Sequence, residues 1–102
     1  MPRKAMETLT ESMLYVLMAL CAGPMCGIDI AEWIEKRTGG RLRIGPATLY
    51  TILAKFESEK YIREVAVEGR RRTYAVTGKG GDAYAAELKR LRQCVADAEK
   101  GE

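Results

Sequence analysis

The sequence predicts a mainly α-helical domain that carries one small β-hairpin and ends in a long helix. Three observations lead to this fold class. Apolar residues recur at helical spacing in the first half of the chain, two short segments rich in β-branched and aromatic residues flank a glycine, and a heptad-like apolar stripe marks the last quarter. The chain has 102 residues, of which 47% are hydrophobic and 30% charged, as expected for one globular domain.

A first helix is predicted from about Thr8, which has capping-box spacing to Glu11, to Cys21. Leu14 and Met18 make its other side apolar as well. A helix that is apolar nearly all round needs two partners, of which one is its own domain and the second can be another subunit. The predicted core-facing residues are Met13, Val16, Leu17, Leu20 and Cys21.

Two further helices follow. The second is predicted to begin at Gly27 and to end at the pair Gly39–Gly40. The third begins at Pro46, because proline suits the first turn of a helix, and runs to about Glu59. The predicted core-facing residues are Ile30, Trp33 and Ile34 in the second helix, and Leu49, Ile52, Leu53 and Phe56 in the third.

The second half of the chain predicts a hairpin and a last helix. Segments 61–67 and 72–77 flank the glycine-containing stretch 68–71, which is the pattern of a two-stranded hairpin. We interpret the glycine-rich stretch 77–81 as a flexible cap. The last helix is predicted over 82–99, with a length of roughly 27 Å. Its apolar stripe consists of Tyr84, Leu88, Leu91 and Val95.

Several classes of chemistry lack their usual residues. The chain has no histidine, so it offers no Ser–His or Cys–His pair and no imidazole ligand. Cys21, Cys26 and Cys94 have no Cys-x-x-Cys spacing; we expect small buried apolar residues, and a redox-sensing thiol is the alternative. Stretch 77–81 lacks the spacing of a P-loop. We therefore expect no enzyme, no metal and no cofactor.

The N-terminus shows no secretory pattern, and no apolar run approaches the ~18 residues of a membrane span. We expect a cytoplasmic protein without a membrane partner. Its positive charge is concentrated in the middle. Residues 41–77 carry eight basic and four acidic side chains, against four and five in residues 1–40 and five of each in residues 78–102. This middle segment is where a polyanion would bind.

Three helices followed by a hairpin is the order of a winged helix-turn-helix, whose third helix enters the major groove of DNA. The third helix opens on short side chains that can approach base edges, and Tyr50 can donate its hydroxyl to a phosphate while its ring packs against the hairpin. A half-buried packing role for Tyr50 and a solvated charge run at the hairpin are the alternatives. The predicted DNA-binding residues are Arg43, Pro46, Ala47, Thr48, Tyr50, Thr51, Lys55, Arg70, Arg71 and Arg72.

The last helix follows a core that should already be closed, so we expect its stripe to pair with a second copy of the chain. A twofold dimer presents recognition helices about 34 Å apart, which predicts a palindromic operator. We expect a winged helix-turn-helix DNA-binding domain over 1–77 and a dimerisation helix over 78–102, within one compact unit. The predicted dimer residues are Leu14, Met18, Tyr84, Leu88, Leu91 and Val95.

A winged-helix module that binds a protein partner instead of DNA is the alternative function. Salt separates the two hypotheses, because binding to DNA phosphates weakens steeply as the salt concentration rises.

Four segments also carry a family resemblance: LTE at 9–11, GIDI at 27–30, GGRLRIGPATLY at 39–50 and RRTYAVT at 71–77. Through them the chain resembles the PadR family of bacterial transcriptional regulators, in its shorter subgroup with one terminal helix. The resemblance implies a homodimeric repressor of double-stranded DNA that responds to a small aromatic or lipophilic effector at the dimer interface. Lys60 replaces a helix-ending glycine of the family, which costs little if the turn avoids a positive φ.

Overall fold

The computed structural model of the chain describes residues 8–101. They form the predicted three helices, hairpin and long C-terminal helix, so the fold class is confirmed. Within these residues, no helix combines the length and the apolar character that a membrane crossing requires. The elements are α1 (Glu11–Ala22), β1 (Met25–Cys26), α2 (Gly27–Arg37), α3 (Pro46–Ser58), β2 (Ile62–Glu68), β3 (Arg71–Val76) and α4 (Gly78–Glu99).

Helices α1, α2 and α3 pack around one apolar core, as their periodicity predicts. The predicted α3 stripe is buried throughout, and Phe56 is wholly shielded from solvent. Burial of such a side chain contributes about 1.5–3 kcal/mol. Cys21 and Cys94 are exposed and only Cys26 is buried, so the expectation of three buried cysteines is wrong. Cys21 lies in the last turn of α1, where the helix leaves the core.

The start of α1 differs from the predicted capping box. Thr10, not Thr8, caps the helix, and its side-chain oxygen accepts a hydrogen bond from the backbone N–H of Met13 at 3.1 Å. The Glu11 carboxylate instead contacts Arg41 Nη1 at 2.7 Å. Glu11 therefore links α1 to the loop that precedes α3.

The sheet has three strands in the order β1-β3-β2, all antiparallel, so the two-stranded prediction was incomplete. Met25 pairs with Tyr74 and thereby ties the α1–α2 connection to the hairpin. A two-residue strand is too short to produce a sequence pattern of its own. It fixes the hairpin beside the start of α2.

Lys60 has a φ of 67°, so the condition for a low-cost replacement of the family's glycine, a turn without a positive φ, is not met. The Tyr61 N–H donates to Phe56 O at 2.9 Å and the Lys60 N–H donates to Glu57 O at 3.0 Å, which is the Schellman arrangement. The rings of Phe56 and Tyr61 lie 5.7 Å apart between centroids. Lys60 therefore adopts the left-handed conformation in the turn that brings Tyr61 back against Phe56.

The glycine-rich stretch 77–81 is ordered, contrary to the prediction of a flexible cap. Thr77 caps α4 by accepting the Gly80 N–H at 3.1 Å, and its hydroxyl donates to Lys60 O at 2.7 Å. Gly80 is buried against the Tyr61 backbone, where a Cβ would overlap the carbonyl oxygen. The glycine lets α4 begin directly on the α3–β2 turn.

The first half of α4 covers its own domain. Ala83 and Tyr84 pack against the core cluster, so the expectation that the core is closed before this helix is wrong there. Glu87 is the last residue of α4 that is buried. From Arg92 to Lys100 every residue is exposed.

Candidate nucleic-acid interface

The exposed face of α3 begins at an N-terminus without a side-chain cap. Gly45 is the N-cap in an extended conformation, Pro46 occupies the first turn, and the Leu49 N–H donates to Gly45 O at 2.9 Å. The first backbone N–H groups of a helix have no partner inside the helix, and the helix dipole makes this end electropositive. The start of α3 can therefore accept an anion.

The residues predicted for the outer face of α3 are all exposed. The Thr51 hydroxyl donates to the carbonyl oxygen of Ala47 at 2.9 Å. In this conformation the hydroxyl can only accept a hydrogen bond from a DNA group. The exposed α3 residues of the predicted DNA set are Pro46, Ala47, Thr48, Tyr50, Thr51 and Lys55.

The hairpin presents its arginines at its tip. Glu68 pairs with Arg71 and closes a two-residue loop in which Gly69 has a φ of 62°. A glycine in the first loop position suits the tight turns that match strand twist. Arg70 follows it at the end of the hairpin.

One open cleft brings the arginines and the recognition-helix candidate together. Tyr50 of α3 lies with its hydroxyl over Gly27, where a Cβ would come within 3.1 Å of Tyr50 Oη. The ring thus contacts the start of α2, and it shares the cleft with the hairpin instead of packing on the hairpin alone. The cleft has a volume of about 510 Å³, and Cys26, Gly27, Ile28, Tyr50, Arg70, Arg71, Arg72 and Tyr74 line it.

Two of the predicted basic residues form surface ion pairs. Arg43 Nε lies 3.3 Å from Glu35 Oε2 of α2, and Arg72 Nη1 lies 3.6 Å from Glu64 Oε1 of β2. Exposed pairs of this kind contribute at most about 1 kcal/mol, so a phosphate can compete for either arginine. Burial raises the pKa of the Tyr74 hydroxyl, so this group stays protonated and can act as a donor.

Sequence reasoning missed half of the cleft. Cys26 ends β1, Gly27 and Ile28 begin α2, and Tyr74 comes from β3. A glycine at the first position of α2 was the one available signal, since a side chain there would displace Tyr50. The β1–β3 pairing that brings these residues to the hairpin has no counterpart in local sequence.

The predicted dimer residues differ widely in exposure. Leu14 is already buried within the single chain, at 8% exposure, whereas Val95 is 54% exposed. Met18, Tyr84, Leu88 and Leu91 are half-buried. Among residues 8–101, no group of cysteine, aspartate and glutamate side chains is arranged to hold a metal ion.

Comparison with known proteins identifies the family. Residues 16–86 match the family model described as the transcriptional regulator PadR-like family. The chain belongs to this PadR-like family. The family resemblance inferred from the four sequence segments is therefore confirmed, and the assignment to the shorter subgroup stays a prediction.

Individual relatives agree with the family. A transcriptional regulator from Clostridium thermocellum superposes with a TM-score of 0.73 at 27% identity, over 87% of this chain and 92% of that one. Bacillus subtilis PadR in complex with operator DNA has the same fold, with a TM-score of 0.68 at 20% identity. The match covers 78% of this chain and 47% of the B. subtilis chain. An uncharacterised 37.1 kDa protein in transposon TN4556 of Streptomyces fradiae is 37% identical over 70 residues. The match spans 69% of this chain and about a fifth (20%) of that protein.

Proposed function

We propose that this PadR-like regulator is a cytoplasmic, non-enzymatic repressor that binds a palindromic operator as a homodimer. The observation that carries the proposal is the cleft, which joins Tyr50 on the exposed face of α3 to three arginines of the hairpin. A B. subtilis relative of the same fold was crystallised with operator DNA, which supports this choice of partner.

The exposed face of α3 and the hairpin suit two parts of a DNA duplex. Thr48 and Ala47 are short and exposed at the start of α3, so that they can approach base edges in the major groove. The hairpin arginines are exposed and match the negative potential of an adjacent minor groove. Tyr50, more than half exposed and anchored on Gly27, is placed to donate to a phosphate between them.

The exposed half of α4 supports the homodimer. Val95 lies on the same stripe as Leu88 and Leu91, and an isolated projecting helix of this kind is marginal in water. A twofold contact covers the stripe and places two copies of α3 on successive turns of DNA. In this arrangement the domain over residues 1–77 contacts DNA, and the apolar stripe of the helical segment 78–102 forms the dimer contact.

Control by a small-molecule effector is part of the same proposal. An effector acts by favouring a dimer whose recognition helices are spaced differently from those in the DNA complex. We place such an effector at the dimer interface, because only there does one small molecule contact both copies.

Fluorescence anisotropy tests the proposal. The protein is titrated against its own upstream DNA and a scrambled duplex at about 50 and 200 mM salt, where counterion release is large. We expect tight, salt-sensitive binding to the upstream duplex. A variant with Arg70, Arg71 and Arg72 changed to alanine should bind more weakly, and its salt slope should fall by about one for each lost phosphate contact.

A matched control removes the same charge elsewhere. Alanine at Lys36, Lys89 and Lys100, all exposed and outside the cleft, should leave most of the affinity intact. Equal losses of DNA affinity in the two triple variants would show that net charge, and not the cleft, determines binding. Absence of DNA binding at both salt concentrations would favour the alternative, a winged-helix module for a protein partner.

A further inference from the structure

Glu87 is an unusual residue for the middle of α4. It is only 7% exposed and is the one charged residue among the buried side chains of residues 8–101. A buried carboxylate destabilises the folded state unless it is paired and hydrogen-bonded. Its partners therefore show what holds it.

Arg90 binds Glu87 through two parallel contacts. Arg90 Nε donates to Glu87 Oε1 at 3.1 Å and Arg90 Nη2 donates to Oε2 at 2.7 Å, which is the bidentate geometry that gives the strongest carboxylate pairs. The backbone of Leu9 also hydrogen-bonds the carboxylate, and together these bonds hold its pKa below the ordinary value. Leu9 precedes α1, so Glu87 joins α4 to the start of the three-helix core.

Glu87 lies at the point along α4 where the helix stops packing on the core. On the N-terminal side, Gly80 and Tyr84 rest on the core, whereas residues 92–100 are exposed throughout. Residues 88–99 extend about 18 Å beyond the junction at 1.5 Å per residue. A rotation of about 10° at Glu87 therefore moves the far end by about 3 Å, close to the rise of one base pair.

We propose that Glu87 is a positioning residue that sets the angle between α4 and the three-helix core, and thereby the half-site spacing that a dimer accepts on DNA. The inference rests on the proposed function, because it requires both a dimer built through α4 and an operator with two half-sites. Arg90 holds the carboxylate in place, and Leu9 is its attachment point on the core.

The test changes Glu87 without weakening the helix. Glu87→Ala removes all three hydrogen bonds and introduces a better helix former, while Glu87→Gln keeps an acceptor for the Leu9 N–H but loses the charge that pairs with Arg90. Glu99→Ala is the matched control, because it makes the same change at an exposed position of the same helix.

The probe is a set of duplexes that the wild-type protein enriches from a random-sequence pool. These duplexes are then rebuilt with the half-sites moved by one and two base pairs in each direction. Anisotropy gives the affinity for each spacing, circular dichroism checks folding, and sedimentation equilibrium checks dimerisation.

In the folded, dimeric Glu87→Ala variant we expect the preference for the wild-type spacing over its neighbours to fall by about threefold to tenfold, the size typical of coupling within one hydrogen-bond network. The preferred half-site sequence should not change. Glu87→Gln should fall between this variant and the wild type, and Glu99→Ala should match the wild type.

Unchanged spacing selectivity in folded Glu87→Ala would overturn this inference and leave the proposed function intact. If Glu87→Ala does not fold, Arg90→Ala tests the same ion pair from its exposed partner. Unchanged spacing selectivity in folded Arg90→Ala would equally overturn the proposed role of Glu87. A wild-type protein that enriches no sequence or sediments as a monomer would instead refute the proposed function itself, and this inference with it.

Discussion

Helices α3 and α4 each carry an apolar stripe of four residues in the sequence, yet the single chain buries the two stripes very differently. Leu49, Ile52, Leu53 and Phe56 of α3 are all buried, whereas α4 buries only Gly80 and Glu87. Helix α3 lies between other elements, and half of α4 extends past the last of them. An apolar stripe predicts that something covers it, but not whether that cover lies in the same chain.

The comparison predicts that α3 residues govern folding and that distal α4 residues govern association. The largest effect is expected for Phe56→Ala, which should lower the free energy of unfolding by about 3–5 kcal/mol, because it opens a cavity in the core. Urea denaturation followed by circular dichroism measures the change. Lys55→Ala, exposed on the same helix, should change stability by less than about 0.5 kcal/mol.

A second prediction concerns the place where α4 is attached. Gly80→Ala should destabilise the chain by about 3 kcal/mol, because the new Cβ overlaps the Tyr61 carbonyl group and the backbone cannot move freely there. Gly81→Ala provides the control, since no atom lies within 4 Å of the added Cβ. That neighbouring change should stabilise α4 by up to about 1 kcal/mol. Equal effects in the two variants would show that α4 does not rest on the Tyr61 backbone.

The third prediction concerns association. Leu91→Ala together with Val95→Ala should weaken a dimer by about 2 kcal/mol, a shift of roughly thirtyfold in its dissociation constant, through lost apolar burial. Sedimentation equilibrium measures this shift, and the urea midpoint at fixed low protein concentration should change little. Arg92→Ala is the control on the same helix. Unfolding of the double variant without a change in association would show that this half of α4 serves its own chain.

The smallest predicted effect is a gain in stability. Lys60→Gly should raise the free energy of unfolding by about 1 kcal/mol, because glycine adopts the observed positive φ without the strain that a Cβ imposes. Differential scanning calorimetry would show a higher melting temperature. The neighbouring Glu59→Gly change, at a residue with a φ of −83°, should give no gain. A loss of stability in Lys60→Gly would mean that the lysine side chain contributes more than its backbone strain costs.

Local periodicity was sufficient for the helices and the hairpin. The predicted start of α3 at Pro46 and its four buried residues agree with the structure, and so does the hairpin around Gly69. These features depend on neighbours three or four residues apart in a helix and two apart in a strand, so that a short window of sequence contains the information.

The candidate interface was predictable on one side only. The exposed α3 residues and the hairpin arginines follow from element order and charge, whereas the start of α2 joined them through the pairing of Met25 with Tyr74. That pairing connects residues far apart in the chain and contributes only two residues of strand. No local pattern marks it.

By itself, the sequence determined the fold class, the family and the side of the molecule that carries positive charge. Only the tertiary structure decided the conformation of Lys60, the burial of Gly80 in the first turn of α4 and the burial of Glu87. Each of these depends on a contact with a distant element or a neighbouring turn: the tilted ring contact between Phe56 and Tyr61, the Tyr61 carbonyl, and the backbone of Leu9. Contacts of this kind arise from packing in three dimensions, and residue spacing along the chain does not encode them.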